Sequence, residues 1–72
     1  MADMEVPMLI KELRKITGLS QAAFAKKFHI PVGTLSHWEQ GVRTPPDYVV
    51  YMLSRIIYME REQYQKKIYN FA

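Results

Sequence analysis

Apolar residues recur along this chain at helical spacing, in four blocks separated by short polar or Gly/Pro stops. In the first block Leu9, Leu13 and Ile16 share one face with Ile10 beside them, which predicts a helix from about Pro7 to Thr17. Pro7 suits a first helical turn and Gly18 is placed as the residue that ends it. A second helix starts from Ser20, a favoured N-cap, with Leu19 and Phe24 in the staple positions around it, and ends near Phe28. Pro31 pre-sets φ for a third helix, which runs to about Gln40 and stops at Gly41. The stretch Val42–Pro46 reads as a loop, because two prolines restrict both themselves and the residues before them. From Asp47 onward there is no Gly or Pro, so the segment is one helix of more than twenty residues or two shorter ones. It carries two apolar stripes. One is Val50, Leu53, Ile57, Tyr64, Ile68 and Phe71; the other is Tyr48, Met52, Ile56 and Met59. Two stripes exceed what a short helix needs to cover a small core, which leaves two readings open: a wide buried face, or a surface for a second copy. The expected fold is a compact all-α domain of four to five helices with a long C-terminal helical segment. Residues 1–7 form a tail, 8–57 the domain and 58–72 an extension. Ile57, Tyr64, Ile68, Tyr69 and Phe71 are the candidates for a dimer contact.

The most specific signal lies in residues 18–41, GLSQAAFAKKFHIPVGTLSHWEQG. Counted from Gln21, a small residue (Ala25) stands at the fifth position and a branched apolar one (Ile30) at the tenth, while Leu35 and Trp38 stand at the fifteenth and eighteenth. Two helices crossing at roughly 90–120° need a small side chain at closest approach and apolar residues on their shared face. The second helix of such a pair can lie in a DNA major groove. The segments LSQAAFAKKF, IPVGTLSHWEQG and RTPP resemble the Cro/repressor-type helix-turn-helix, the Xre family, over about Met8 to Ile57. The resemblance implies a compact all-α domain that binds operator DNA, usually as a dimer. One position departs from the family pattern: the turn residue, commonly Gly because it needs φ > 0, is His29. His belongs with Asn and Asp among the non-Gly residues enriched in that backbone region.

The third helix divides by face. Leu35 and Trp38 point inward, and the opposite face presents Val32, Gly33, Ser36 and His37, with Thr34 at its edge. In the resembled family the positions matching Val32, Gly33 and His37 commonly touch base edges. Val32 offers apolar contact only, for instance to a thymine methyl; Gly33 permits close backbone approach; His37 can donate to or accept from a base. A surface this sparse in Arg, Asn and Gln implies modest base readout and a larger share from phosphates and DNA shape. The family counterpart of Gln21 bonds a phosphate, helped by the free N–H groups of a helix N-terminus. Thr34, Ser36 and Arg43 are further phosphate candidates, whereas Lys26 and Lys27 read as solvating the far end of the second helix. Glu39 would repel phosphate. The resemblance implies instead that it pairs with Arg14 on the first helix as a structural ion pair, and Trp38 reads as core.

Composition narrows the remaining choices. Seventy-two residues allow one domain with a small core, and a chain nearly half hydrophobic is not globally disordered. The absence of cysteine removes disulfides and thiolate metal sites. The start, MADMEVP, lacks the apolar segment of a signal peptide, and no apolar run approaches the ~20 residues of a membrane span. A cytoplasmic protein without membrane contact is expected. The net charge of +3 is uneven: residues 1–7 carry −2, residues 8–46 carry +4 and residues 47–72 carry +1. The surplus sits on the motif, where a polyanion would meet it. Enzyme readings fail, because His29 and His37 have no Cys or paired carboxylate at metal-ligand spacing and no phosphate-cradling glycine loop is present. No metal or cofactor is expected. The chain therefore reads as a sequence-specific DNA-binding transcriptional regulator, a repressor, working as a homodimer on double-stranded DNA. The alternative is a protein-binding module, such as an antitoxin or inhibitor, whose scaffold or last helix binds a partner such as a toxin.

Overall fold

The computed structural model describes residues 5–69, with side chains as far as Tyr64. Four α-helices follow one another: α1 (Val6–Thr17), α2 (Gln21–Phe28), α3 (Val32–Gln40) and α4 (Asp47–Tyr69). The all-α reading holds, with α4 as one uninterrupted helix rather than two.

Each short helix ends where its sequence cannot continue it. Gly18 (φ 72°) and Gly41 (φ 79°) take the left-handed conformation after α1 and α3. His29 does the same after α2 with φ 58°, and it is the one non-Gly residue with positive φ among those described. The Ile30 N–H then bonds back to the Ala25 carbonyl at 2.9 Å and closes a Schellman-type cap. At the start of α2 the Ser20 hydroxyl accepts from the Ala23 N–H at 3.1 Å. Thr17 adds a second device at the first turn: its hydroxyl donates to the Arg14 carbonyl at 2.6 Å and accepts from the Leu19 N–H at 3.1 Å.

α1 lies between α3 and α4, and α2 packs on α3. Ile10 and Leu13 from α1, Phe24 and Ala25 from α2, Leu35 and Trp38 from α3, and Leu53 and Ile57 from α4 make one core. Phe24, Ile10, Leu35 and Ile57 are completely enclosed. Each contributes on the order of 1.5–3 kcal/mol relative to an exposed side chain. Ala25 sits where α2 meets α3, the contact that requires a small residue.

This core corrects the expectation for Ile57. That residue is 0% exposed and belongs to its own domain, so it is not part of a dimer surface. The stripe Val50, Leu53, Ile57 and Tyr64 faces inward, and Tyr64 packs against the core edge. Phe71 lies outside the described residues, as do the side chains of Ile68 and Tyr69. The other stripe is the exposed one: Tyr48, Met52, Ile56 and Met59 are 66%, 49%, 40% and 77% accessible. Periodicity separates the two faces of α4 but does not say which of them a three-helix core will cover.

Candidate nucleic-acid interface

The α2–turn–α3 unit is fixed to α1 by a polar cluster at its base. Arg14 donates from Nε to Glu39 Oε2 at 2.7 Å and from Nη2 to Glu39 Oε1 at 2.9 Å, a bidentate charge-assisted pair. A third Arg14 N–H reaches the Leu19 carbonyl at 3.2 Å, just before α2. The Gln21 Nε2 donates to Glu39 Oε1 at 3.0 Å. Glu39 is 3% exposed and Arg14 26%. Hydrogen bonding from Arg14 is the main influence on the Glu39 carboxyl, and it holds the group below the usual carboxylate range against the opposing effect of burial. The same hydrogen bond raises the Arg14 guanidinium. Three helices thus meet at one carboxylate, and the start of α2 is locked to the end of α3.

With Leu35 and Trp38 held in the core, α3 presents its other side to solvent. Val32 is half exposed, and Gly33 and His37 are exposed. A methyl group built on Gly33 would meet nothing within 4 Å. Thr34 and Ser36 are half-buried at the margins. The Ser36 hydroxyl accepts from the Gln40 side chain at 2.8 Å, so part of its hydrogen-bonding capacity is engaged locally. Pro31 provides no side-chain cap, which leaves the first N–H groups of α3 open to an external acceptor. Arg43 is exposed in the loop after α3, and that loop is tied back by bonds from the Val42 and Arg43 N–H groups to the His37 carbonyl at 2.9 and 3.3 Å. Gln21 is half-buried at the opening of α2. Val32, Gly33 and His37 therefore share one open helix face, Arg43 stands on the loop beyond it, and Gln21 belongs to the Arg14–Glu39 cluster at the base.

Lys27 does more than solvate the end of α2. Its Nζ lies 3.4 Å from Glu60 Oε1 and over the rings of Phe28 and Tyr64, at 5.6 and 5.7 Å from their centroids. The Tyr64 hydroxyl donates to the same Glu60 oxygen at 2.7 Å. Burial, then the Glu60 hydrogen bond, pushes Tyr64 up to about 12. This clasp joins α2 to the second half of α4 across 33 residues of sequence. Only the i, i+4 spacing of Glu60 and Tyr64 hinted at it.

Among the described residues no group of His, Asp or Glu could hold a metal ion, and no helix is long and apolar enough to cross a membrane.

An open α3, braced by α1 and a buried ion pair, defines a class of protein, and comparison with known families agrees. A helix-turn-helix family model matches residues 10–57. The chain belongs to the Xre/Cro-type helix-turn-helix family, a family of DNA-binding regulators. No curated protein and no solved structure matches it.

Proposed function

We propose that the chain is a sequence-specific transcriptional regulator, acting as a repressor in the cytoplasm by occupying its operator with α3 in the major groove. The carrying observation is the open face of α3: Val32, Gly33 and His37 are exposed while Leu35 and Trp38 hold the helix from behind. Gly33 lets the backbone come close to a base edge, Val32 can meet a thymine methyl, and His37 can hydrogen-bond a base. Thr34, Ser36, Arg43 and the uncapped start of α3 supply phosphate contacts, as does Gln21 through the amide hydrogen that Glu39 does not use. The +4 charge of residues 8–46 supplies counterion release. One α3 touches few base pairs, so a homodimer would place two of them about 34 Å apart, one turn of DNA.

A gel-shift series tests the reading. Affinity should fall steeply between low and physiological salt, Arg43→Ala should lower the salt slope by about one and weaken all sequences alike, and His37→Ala should change sequence preference. Affinity independent of salt, or a His37→Ala protein with unchanged affinity and preference, would refute it.

A further inference from the structure

α4 has a second apolar face that its own domain does not use. Of the large hydrophobic side chains left exposed among the described residues, six lie on this helix: Tyr48, Tyr51, Met52, Ile56, Tyr58 and Met59. At 100° per residue Tyr48, Tyr51, Tyr58 and Met59 occupy the side opposite Leu53 and Ile57 and run for more than three turns, with Met52 and Ile56 on the flank toward Phe28 and Ile30. Exposed apolar patches of this extent mark interaction surfaces. The residue types are those enriched at protein interfaces, namely Tyr, Met and Arg. Arg55 lies at the middle of the face with its guanidinium 5.8 Å from the Tyr51 ring centroid, which holds a long side chain in one place.

Charge decides what fits there. Among the residues with described side chains, the middle of the face carries the cation Arg55 and, one heptad further along, the anion Glu62, so both stay on the same side of the helix. Among the described residues neither makes an ion pair within the chain. A surface with opposite charges seven residues apart is complementary to itself when the helices run antiparallel. A two-fold axis midway between them, beside Tyr58 and Met59, sets each Arg55 against the other copy's Glu62. That is the reciprocal pairing an isologous interface requires. In that register the thioether of Met59 lies against Tyr58 of the other copy, a favourable sulfur–aromatic contact.

We propose that the outer face of α4 is the homodimer interface, packing antiparallel on the same face of a second copy, with the two-fold axis beside Met59 and Arg55 paired to Glu62 across it. This rests on the dimeric reading above and gives it a geometry. The backbone of α4 runs beside α1 and not beside α3, so covering this face leaves the proposed reading face open.

The test uses the full-length chain in sedimentation equilibrium at micromolar concentration. The wild type should dimerise. Arg55→Glu and Glu62→Arg should each raise the dimer dissociation constant roughly tenfold, because each turns two attractions into two repulsions, and the double reversal should restore it. The chain has no cysteine. Met59→Cys should therefore form a disulfide-linked dimer on mild oxidation, whereas Tyr48→Cys, about 16 Å from the axis at 1.5 Å per residue, should not. Met59 is 77% exposed, so its replacement leaves the core intact, and circular dichroism checks the fold of every variant. A dimer indifferent to both reversals and not trapped by Met59→Cys would overturn this interface while leaving the dimeric reading in place. A monomer would overturn both. A face that binds only a different protein would assign α4 to that partner and overturn the proposal.

Discussion

Replacing Arg14 with Ala should destabilise the fold rather than merely weaken DNA binding. The substitution removes both hydrogen bonds to Glu39 and the one to the Leu19 carbonyl. It leaves a carboxylate 3% exposed with Gln21 as its remaining side-chain donor. Breaking a fully buried pair costs on the order of 3–5 kcal/mol. Arg14 is about a quarter exposed, so water can enter the space it vacates and the loss drops to roughly 2–3 kcal/mol. For a domain of this size each kcal/mol is worth about 4–8 °C, so Tm should fall by roughly 8–24 °C. Thermal unfolding followed by circular dichroism measures it. A double-mutant cycle with Glu39→Leu separates the pair from the rest. The doubly apolar protein should be more stable than Arg14→Ala, because no carboxylate remains to be left uncompensated. An unchanged Tm in Arg14→Ala would refute the reasoning and place the guanidinium in solvent.

Four further outcomes follow. The Glu39 carboxyl is held low in the folded state, so its contribution to stability is present above the unfolded value of about 4.5 and is lost as pH falls through the lowered one; acid titration of Tm should show this limb flattened in Glu39→Gln. Tyr64 is raised to about 12 from 10.0, so its contribution lasts until pH rises through that interval; absorbance titration should find a late-ionising tyrosine that is missing in Tyr64→Phe. His29→Gly should raise stability by about 1 kcal/mol, since φ 58° strains a residue with a Cβ and the added freedom of the unfolded chain offsets only part of the relief; denaturant unfolding reads the change. Gly33→Ala should stabilise α3 by up to about 1 kcal/mol, because the methyl meets nothing in the fold, yet weaken DNA binding in gel shifts by crowding the proposed reading face.

Helix boundaries were legible because each depends on one residue whose backbone chemistry leaves little choice. Ser20 caps α2 with its hydroxyl, and Gly18 and Gly41 accept the left-handed conformation that ends a helix. Pro45 and Pro46 separate α3 from α4. The inward face of α3 is legible for the same local reason, since Leu35 and Trp38 keep helical spacing; on α1 the buried line is Ile10, Leu13 and Thr17, with Leu9 and Ile16 only partly buried at its margins. α4 was harder. Its two apolar stripes look alike in sequence, and which one is buried depends on how α1 lies against it, a tertiary fact. Ile57, which spacing alone offers to a dimer surface, therefore lies in the core. The Lys27–Glu60–Tyr64 clasp was hidden too, because it needs the end of α2 brought beside the sixtieth residue. At the interface with DNA, the exposed face of α3 follows from spacing alone. The roles of Val32, Gly33, His37 and Gln21 came with the family resemblance, because a valine, a glycine and a histidine have no intrinsic tie to DNA.

The most direct test of the central claim is selection of bound sequences from a random pool of duplex DNA with the full-length chain, run in parallel with His37→Ala. The account predicts an enriched inverted repeat with half-sites centred about one helical turn apart, and a changed base preference within each half-site for His37→Ala. A pool that enriches no sequence, or an identical motif from both proteins, would contradict the placement of α3 in the groove.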